Sequence, residues 1–402
     1  MSRPKVAVIQ GMCRPYRARF FEELAKVKRI NFTFLFGKAP NYMKHAAFSK
    51  PEDLSIFKFD YRFLPLVSYQ GKIPTNPFHW KRSFKIFPTL LFEILKGKYD
   101  VIIADGAIYP DLVPLLIGCK LTKKPFIVWS GGNMRDNAPR PTDPLMKKIV
   151  YVLVSYVYRR CNAAIAYGTG TKEFLSFLGM NSGKIFIATN TVDNFFFEEM
   201  PKTNRKKIEM LRKELDLRDK KVILYVGSLE LRKKLETLLM TFEKVRTTQH
   251  ETSLLIVGDG PDKDRLLKLC SKKALNRDVK FVGKVDYFDV PLYYSLSDIF
   301  VLPSQGGITV MEAMASGKPV IVSEECNALY SVPGIVRPNE NGFIVKKGDF
   351  HAIEKHLIQL LANKKLAAEM GKKSKEIALS LFSVNRMIQG FVDAIEFVMD
   401  TH

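Results

Sequence analysis

Cysteine is scarce in this chain: five among 402 residues, at Cys13, Cys119, Cys161, Cys270 and Cys326. They are odd in number, far apart and never in a C-x-x-C pair, so a disulfide framework is excluded and reduced thiols in a cytosol are expected. The six histidines show no H-x-x-x-H or similar spacing, and no protein metal site is expected. Long apolar runs are missing too. "IVYVLVSYVY" (149–158) and "LVPLLIGC" (112–119) are too short to cross a bilayer. The first residues lead almost directly into the strand-like "KVAVIQ", which leaves no room for a signal peptide. Acid is in short supply: 41 Asp+Glu against 63 Lys+Arg give a net charge of +22. Such a balance favours polyanionic company, whether nucleic acid, an anionic membrane face or a phosphorylated ligand, and composition does not choose among them. No strand-like run ends in G-x-G-x-x-G, which removes a dinucleotide-dependent oxidoreductase. Nucleic-acid binding would rest on charge alone, because no matching motif accompanies it.

What is present is an alternation of two periods. Short β-branched runs occur at 5–11, 31–37, 101–106, 125–131, 163–168 and 185–190. A second series follows at 221–228, 253–260, 279–284, 299–304, 318–324 and 341–349. Many are apolar on both faces, as in the middle of parallel sheets. Between them lie helical patterns such as "LETLLMTFEKV", whose apolar positions 235, 238, 239, 242 and 245 follow the helical repeat. Two β-α series in a chain too long for one core predict an α/β protein of two doubly wound Rossmann-like domains. The polar, mostly helical stretch 198–221 separates them, giving domains over 1–200 and 201–380, with a C-terminal helix over 381–402 returning to the first. Ligands of open parallel sheets sit beyond the carboxyl ends of the strands. The glycine punctuation falls there, at Gly11, Gly106, Gly131, Gly168, Gly227, Gly258, Gly260, Gly306 and Gly307. Two such sheets facing each other would enclose a central cleft.

The stretch "SQGGITVMEAMASGKPVIV" (304–322) concentrates the chemistry. It reads as a strand end, a glycine turn and a helix that stops at Gly317 before Pro319. Gly306 and Gly307 let backbone approach a ligand, and the helix start offers N–H groups to phosphate or sugar oxygens. Glu312 is an acid inside an apolar helix; it suits a pair of vicinal hydroxyls, or else a salt bridge to a neighbouring helix.

This stretch resembles the C-terminal signature of the retaining glycosyltransferases of family four, the glycosyl transferases group 1, which have the GT-B fold. "ILYVGSLELRKKLETLL", "LLIVGDGPDKDRL", "VKFVGKVDYFDVPLYYSLSDIFVLPS" and "KIFIATNTVDNFFF" fall in that family's order, and "RPYRARFFEELAK" is similar to a subset's N-terminal loop. The resemblance implies an enzyme that moves a sugar from a UDP- or GDP-sugar to a glycan or lipid-linked acceptor, with no metal or other cofactor. It implies that Glu312, the second acid of E-x7-E, binds the donor ribose, and that Gly307, Ile308 and Thr309 turn amides to the diphosphate. The first acid, a contact of the transferred sugar, is absent: Ser304 stands there, with Gln305 or the Gly306–Gly307 amides as substitutes. Of the paired cations that neutralise the diphosphate, Lys233 matches the lysine, Ser228 replaces the arginine and Lys234 a glycine, with Arg232 as a stand-in. The alternative for Arg232–Lys234 is a solvated helix start. Gly258, Gly260 and Pro261 would line the nucleobase pocket, and the backbone at Lys284–Val285 would read the base.

In the first domain, Arg14 and Arg17 would engage the diphosphate or an anionic acceptor, or else pair with Glu22 or Glu23; Asn133 and Arg135 are acceptor-side candidates. The segment 76–98 interleaves Phe78, Trp80, Phe84 and Phe87 with Lys81, Arg82, Lys85 and Lys96. It fits either a membrane-surface helix or an ordinary helix with its Phe/Leu face inward. With the net charge, it suggests a cytoplasmic protein held peripherally on an anionic leaflet. The rival of another class is a catalytically silent GT-B protein that binds nucleotide-sugar or partners in a glycan assembly complex.

Overall fold

The computed structural model describes residues 3–11, 13–38, 58–70, 83–106, 109–130, 145–326, 329 and 332–401. Every run expected as a strand contains one. The first unit has β1 (Lys5–Gln10), β2 (Asn31–Lys38), β3 (Tyr61–Pro65), β4 (Val67–Gln70), β5 (Ser83–Ile86), β6 (Val101–Asp105), β7 (Phe126–Ser130), β8 (Ala163–Ala166) and β9 (Ile185–Ile187). Its helices are α1 (Ala18–Ala25), α2 (Leu90–Lys96), α3 (Tyr109–Leu121), α4 (Leu145–Arg160) and α5 (Thr169–Phe177). Seven strands form one parallel sheet in the order β3-β2-β1-β6-β7-β8-β9, while β4 and β5 make a separate antiparallel pair. Strand β5 lies within the segment 76–98 read as one helix, and only α2 there is helical among the described residues; Trp80, Lys81 and Arg82 lie outside them.

The second unit has α6 (Asn194–Thr203), α7 (Arg205–Glu214), β10 (Lys221–Val226), α8 (Leu235–Thr248), β11 (Thr252–Val257), α9 (Lys263–Lys272) and β12 (Val279–Gly283). There follow α10 (Val290–Leu296), β13 (Ile299–Leu302), α11 (Ile308–Ala315), β14 (Val320–Ser323), β15 (Gly342–Val345), α12 (Phe350–Ala362) and α13 (Lys364–Leu381). The six strands are parallel in the order β12-β11-β10-β13-β14-β15. Contacts assign Met1–Asn190 and Val384–His402 to the first unit and Thr191–Ser383 to the second.

Alternation along the strands fills both faces of the first sheet. On β1, Ala7 and Ile9 join a core with Ile94, Leu115 and Val157 of α2, α3 and α4. Val6 and Val8 join the opposite core, with Phe20, Phe21 and Trp129. The last helix, α14 (Val384–Asp400), seats Phe391 there, with ring centroids 5.0 Å from Phe20 and 4.9 Å from Trp129. Among the described residues no helix is long and apolar enough to cross a membrane, and no cluster of three metal-ligating side chains occurs. All five cysteines are buried and in no disulfide. Each sheet reverses its winding once, between β1 and β6 and between β10 and β13. In folds of this kind, the crevice at the carboxyl ends of those two strands is where ligands bind.

Candidate functional site

In the second unit, three strand ends are laced by backbone bonds beyond β10, β11 and β12. The Gly227 amide donates to Val257 O at 3.0 Å, that of Gly258 to Gly283 O at 2.8 Å, and that of Leu229 to Asp259 O at 3.1 Å. A Cβ on Gly258 would stand 1.9 Å from Gly227 O, and one on Gly260 would stand 2.3 Å from Leu229 O. These glycines are therefore required by loop-on-loop approach. Pro261 and Lys284, on the same rim, are exposed.

The chain then makes a 3-10 turn over Leu231–Lys233, and Lys234 leaves it in the left-handed region at φ 54°. That conformation costs a non-glycine residue about 1–2 kcal/mol, and the Lys234 ammonium is anchored on Glu325 at 2.7 Å. The turn drives Lys233 inward, leaving it 8% exposed. Its Nζ donates to the backbone carbonyl of Gln305, on the loop after β13. Burial, helped by the neighbouring Arg232 charge and opposed by Glu230, lowers its pKa to about 8. Arg232 is turned to Glu230, with Nε 2.6 Å from the carboxylate. Ser228 offers its carbonyl to the Tyr225 hydroxyl at 3.0 Å.

The loop that receives Lys233 leads into α11. Ser304 is fully buried and its Oγ has no hydrogen-bond partner among the described residues, whereas Gln305 is exposed. The Cys326 thiol donates to Gly306 O at 2.8 Å and pins the turn. Gly307 caps α11 without a side-chain bond. The amides of Ile308 and Thr309 fall in the first turn, where a helix supplies no acceptor. Glu312 lies deeper, 4% exposed. It forms no ion pair among the described residues, so the salt-bridge alternative is not what the structure adopts; its partner is the Tyr294 hydroxyl, at 3.1 Å. Burial pushes the carboxyl up to about 7 against the pull of that hydrogen bond.

In the first unit Gly11 is buried and Arg14 exposed, with no ion pair at Arg14 among the described residues. Arg17 is 4% exposed and pairs with neither Glu22 nor Glu23, which are taken by Arg19. Its guanidinium lies 4.4 Å over Trp129, donates to the Tyr167 hydroxyl, and reaches Asn190 at 3.4 Å and Tyr16 at 3.2 Å. Burial opposes its charge, but Tyr16, Tyr167 and Asp105 more than restore it. Gln10 Nε2 reaches Asp105 at 3.3 Å beside it, so the polar residues at this sheet's reversal surround a cation. Asn133 and Arg135 lie outside the described residues.

Sequence reasoning missed Tyr294, Cys326 and the aromatic walls of Arg17. Tyr294 sits in a mostly buried helix and reads as core; Trp129 lies near the end of β7 and Tyr167 just after β8, and only their place at strand ends could have signalled them.

Residues 207–377 match the family model of the glycosyl transferases group 1. Over 205 residues the chain is 26% identical to the N-acetyl-alpha-D-glucosaminyl L-malate synthase of Bacillus anthracis, a match covering 50% of this chain and 51% of that protein. Over 322 residues it is 23% identical to a sulfoquinovosyl transferase of Arabidopsis thaliana, covering 78% and 58%. The chain thus spans about half the length of these curated relatives. Among solved structures, Anabaena HepE in complex with UDP superposes with a TM-score of 0.72 at 16% identity, over 98% of this chain and 99% of that one. At such identity the likeness shows the fold, which is of the GT-B class. The family match itself reaches residues 207–377, within the second unit.

Proposed function

We propose that this protein transfers a sugar from a UDP- or GDP-sugar to a glycan or lipid-linked acceptor, with retention of anomeric configuration. One observation carries the reading. Lys233, from the loop after β10, bonds the Gln305 carbonyl three residues before the open amides of Ile308 and Thr309, at the sheet reversal where this fold class takes ligands. A cation, a helix N-terminus and a buried carboxylate in one place suit a diphosphate with a ribose attached. The relatives' printed names describe synthases and transferases of sugars, and HepE is solved with UDP.

In this reading Lys233 and the α11 amides stabilise the charge that grows on the diphosphate as the glycosidic bond breaks. Glu312, ionised, accepts hydrogen bonds from both ribose hydroxyls, with Tyr294 holding it in place. The acceptor hydroxyl attacks the anomeric carbon from the face the diphosphate leaves, and a phosphate oxygen takes its proton, so no protein base is needed. Removing one such charge-stabilising donor costs about 3 kcal/mol of barrier. Lys233→Ala is therefore expected to lower kcat by about a hundredfold while weakening nucleotide binding far less, read from steady-state rates alongside calorimetry. Unchanged turnover would remove Lys233 from this role.

A specific pair of observations favours a second reading, a silent nucleotide-sugar-binding protein. Ser304 stands buried where the family's first acid would meet the sugar, and Arg232 is held by Glu230. Donor binding with neither transfer nor hydrolysis, across a panel of UDP- and GDP-sugars, would select it.

A further inference from the structure

Helices α2, α3 and α4 lie in one layer over a single face of the first sheet, sharing the core that Ile94, Leu115 and Val157 enter. Their outward sides are unusually apolar. On α4, Leu145, Ile149, Val152, Leu153 and Tyr156 are 71%, 44%, 59%, 44% and 43% exposed. They follow i, i+4, i+7, i+8 and i+11, one stripe of a helix whose other side, at Val154 and Val157, is buried. The adjoining α3 adds Ile117 and Leu121, at 54% and 77%, and α2 adds Phe92 and Leu95, at 59% and 44%. Monomeric proteins rarely leave so much apolar side chain on one face without a partner.

Among the described residues, the exposed charges on these three helices have one sign. Helix α4 contains no acid and ends in Arg159 and Arg160; the Arg160 guanidinium lies 5.7 Å from the Tyr156 ring centre and the Lys96 ammonium 4.2 Å from that of Phe92. The two acids of α2 and α3 are engaged elsewhere. Glu93 binds Arg62 and the Tyr99 hydroxyl, and Asp111 is buried, accepting the Phe87 amide at 3.1 Å. Apolar stripes rimmed by cations and aromatics fit the boundary between acyl chains and anionic headgroups, which rewards both features together.

We propose that the outer face of α2, α3 and α4 is a docking surface for an anionic lipid bilayer. It would hold the protein beside a lipid-linked acceptor, yet it depends on nothing assumed about the sugar donor. The test is co-sedimentation of the full chain with vesicles of phosphatidylglycerol and phosphatidylcholine, against phosphatidylcholine alone. The wild type should bind the anionic vesicles at least tenfold better and lose most binding in high salt. I149Q/V152Q/L153Q, all exposed positions, should weaken that binding at least tenfold with an unchanged Tm and unchanged UDP or GDP binding; R159Q/R160Q should weaken it with the stripe intact. Equal binding by both variants and the wild type, or indifference to lipid charge, would overturn the proposal. A wild-type dimer that the triple variant dissociates in light scattering, without vesicle binding by either, would make the face a contact between copies and equally overturn it.

Discussion

Lys233 keeps its charge only below about pH 8, because burial and Arg232 both disfavour the ammonium. Its folded value lies below the 10.5 of a free lysine. Below pH 8 both folded and unfolded states are charged, and between 8 and 10.5 the folded state sheds its proton first, so this group adds stability as pH rises through that window. Ligand binding has the opposite sense: affinity for UDP or GDP should fall as pH rises past 8. Lys233→Arg, always charged, should flatten that profile in calorimetric titrations; an identical fall in the variant would show that another group titrates. Glu312 is raised from 4.5 to about 7. Between those values the folded protein holds a proton the unfolded chain has lost, so stability falls as pH rises through the window and the full cost stands above 7. Glu312→Gln retains an acceptor for Tyr294 without the buried charge. It should gain on the wild type by up to about 3 kcal/mol between pH 5 and pH 8 in urea unfolding. A constant difference at both pH values would mean that the carboxyl does not titrate there.

The elements themselves were well marked in the sequence where burial is two-sided. Runs such as "VIIAD" and "IFVL" have no polar alternation, and both became central strands, β6 and β13. Strand β3 was not foreseen because "YRFLP" is an edge, with a charged residue, a terminal proline and only Leu64 buried. The β4–β5 pair was hidden for another reason: four-residue strands carry too little pattern to separate from a helix. At the site, Lys233 and Glu312 were singled out because each stands at a position of the signature that the sequence resembles. Tyr294 and Cys326 were not, since their roles arise from contacts with Glu312 and Gly306 that packing alone creates. The glycine turns belong to this scale too. Gly258→Ala forces a Cβ against Gly227 O at a φ of 139°, and should destabilise by on the order of 3 kcal/mol in denaturant unfolding. A loss below about 0.5 kcal/mol, the range of an indifferent site, would show that the loops yield freely.

At the scale of the whole molecule, a fold shared across 98% of the chain with HepE at 16% identity shows how little of the sequence the architecture demands. Where the sequence resembles the family signature this chain carries Ser304, Ser228 and Lys234, and its net charge is +22. The account stands on two buried side chains of the second unit, Lys233 and Glu312, meeting one guest. Ligands that bind only the native state raise the melting temperature, so a panel of UDP- and GDP-sugars scanned by thermal shift identifies the donor. Calorimetric titration of that donor into the wild type and Glu312→Gln is then the most direct measurement. The account predicts one site on the wild type and at least tenfold weaker binding to the variant; equal dissociation constants for the two would contradict it.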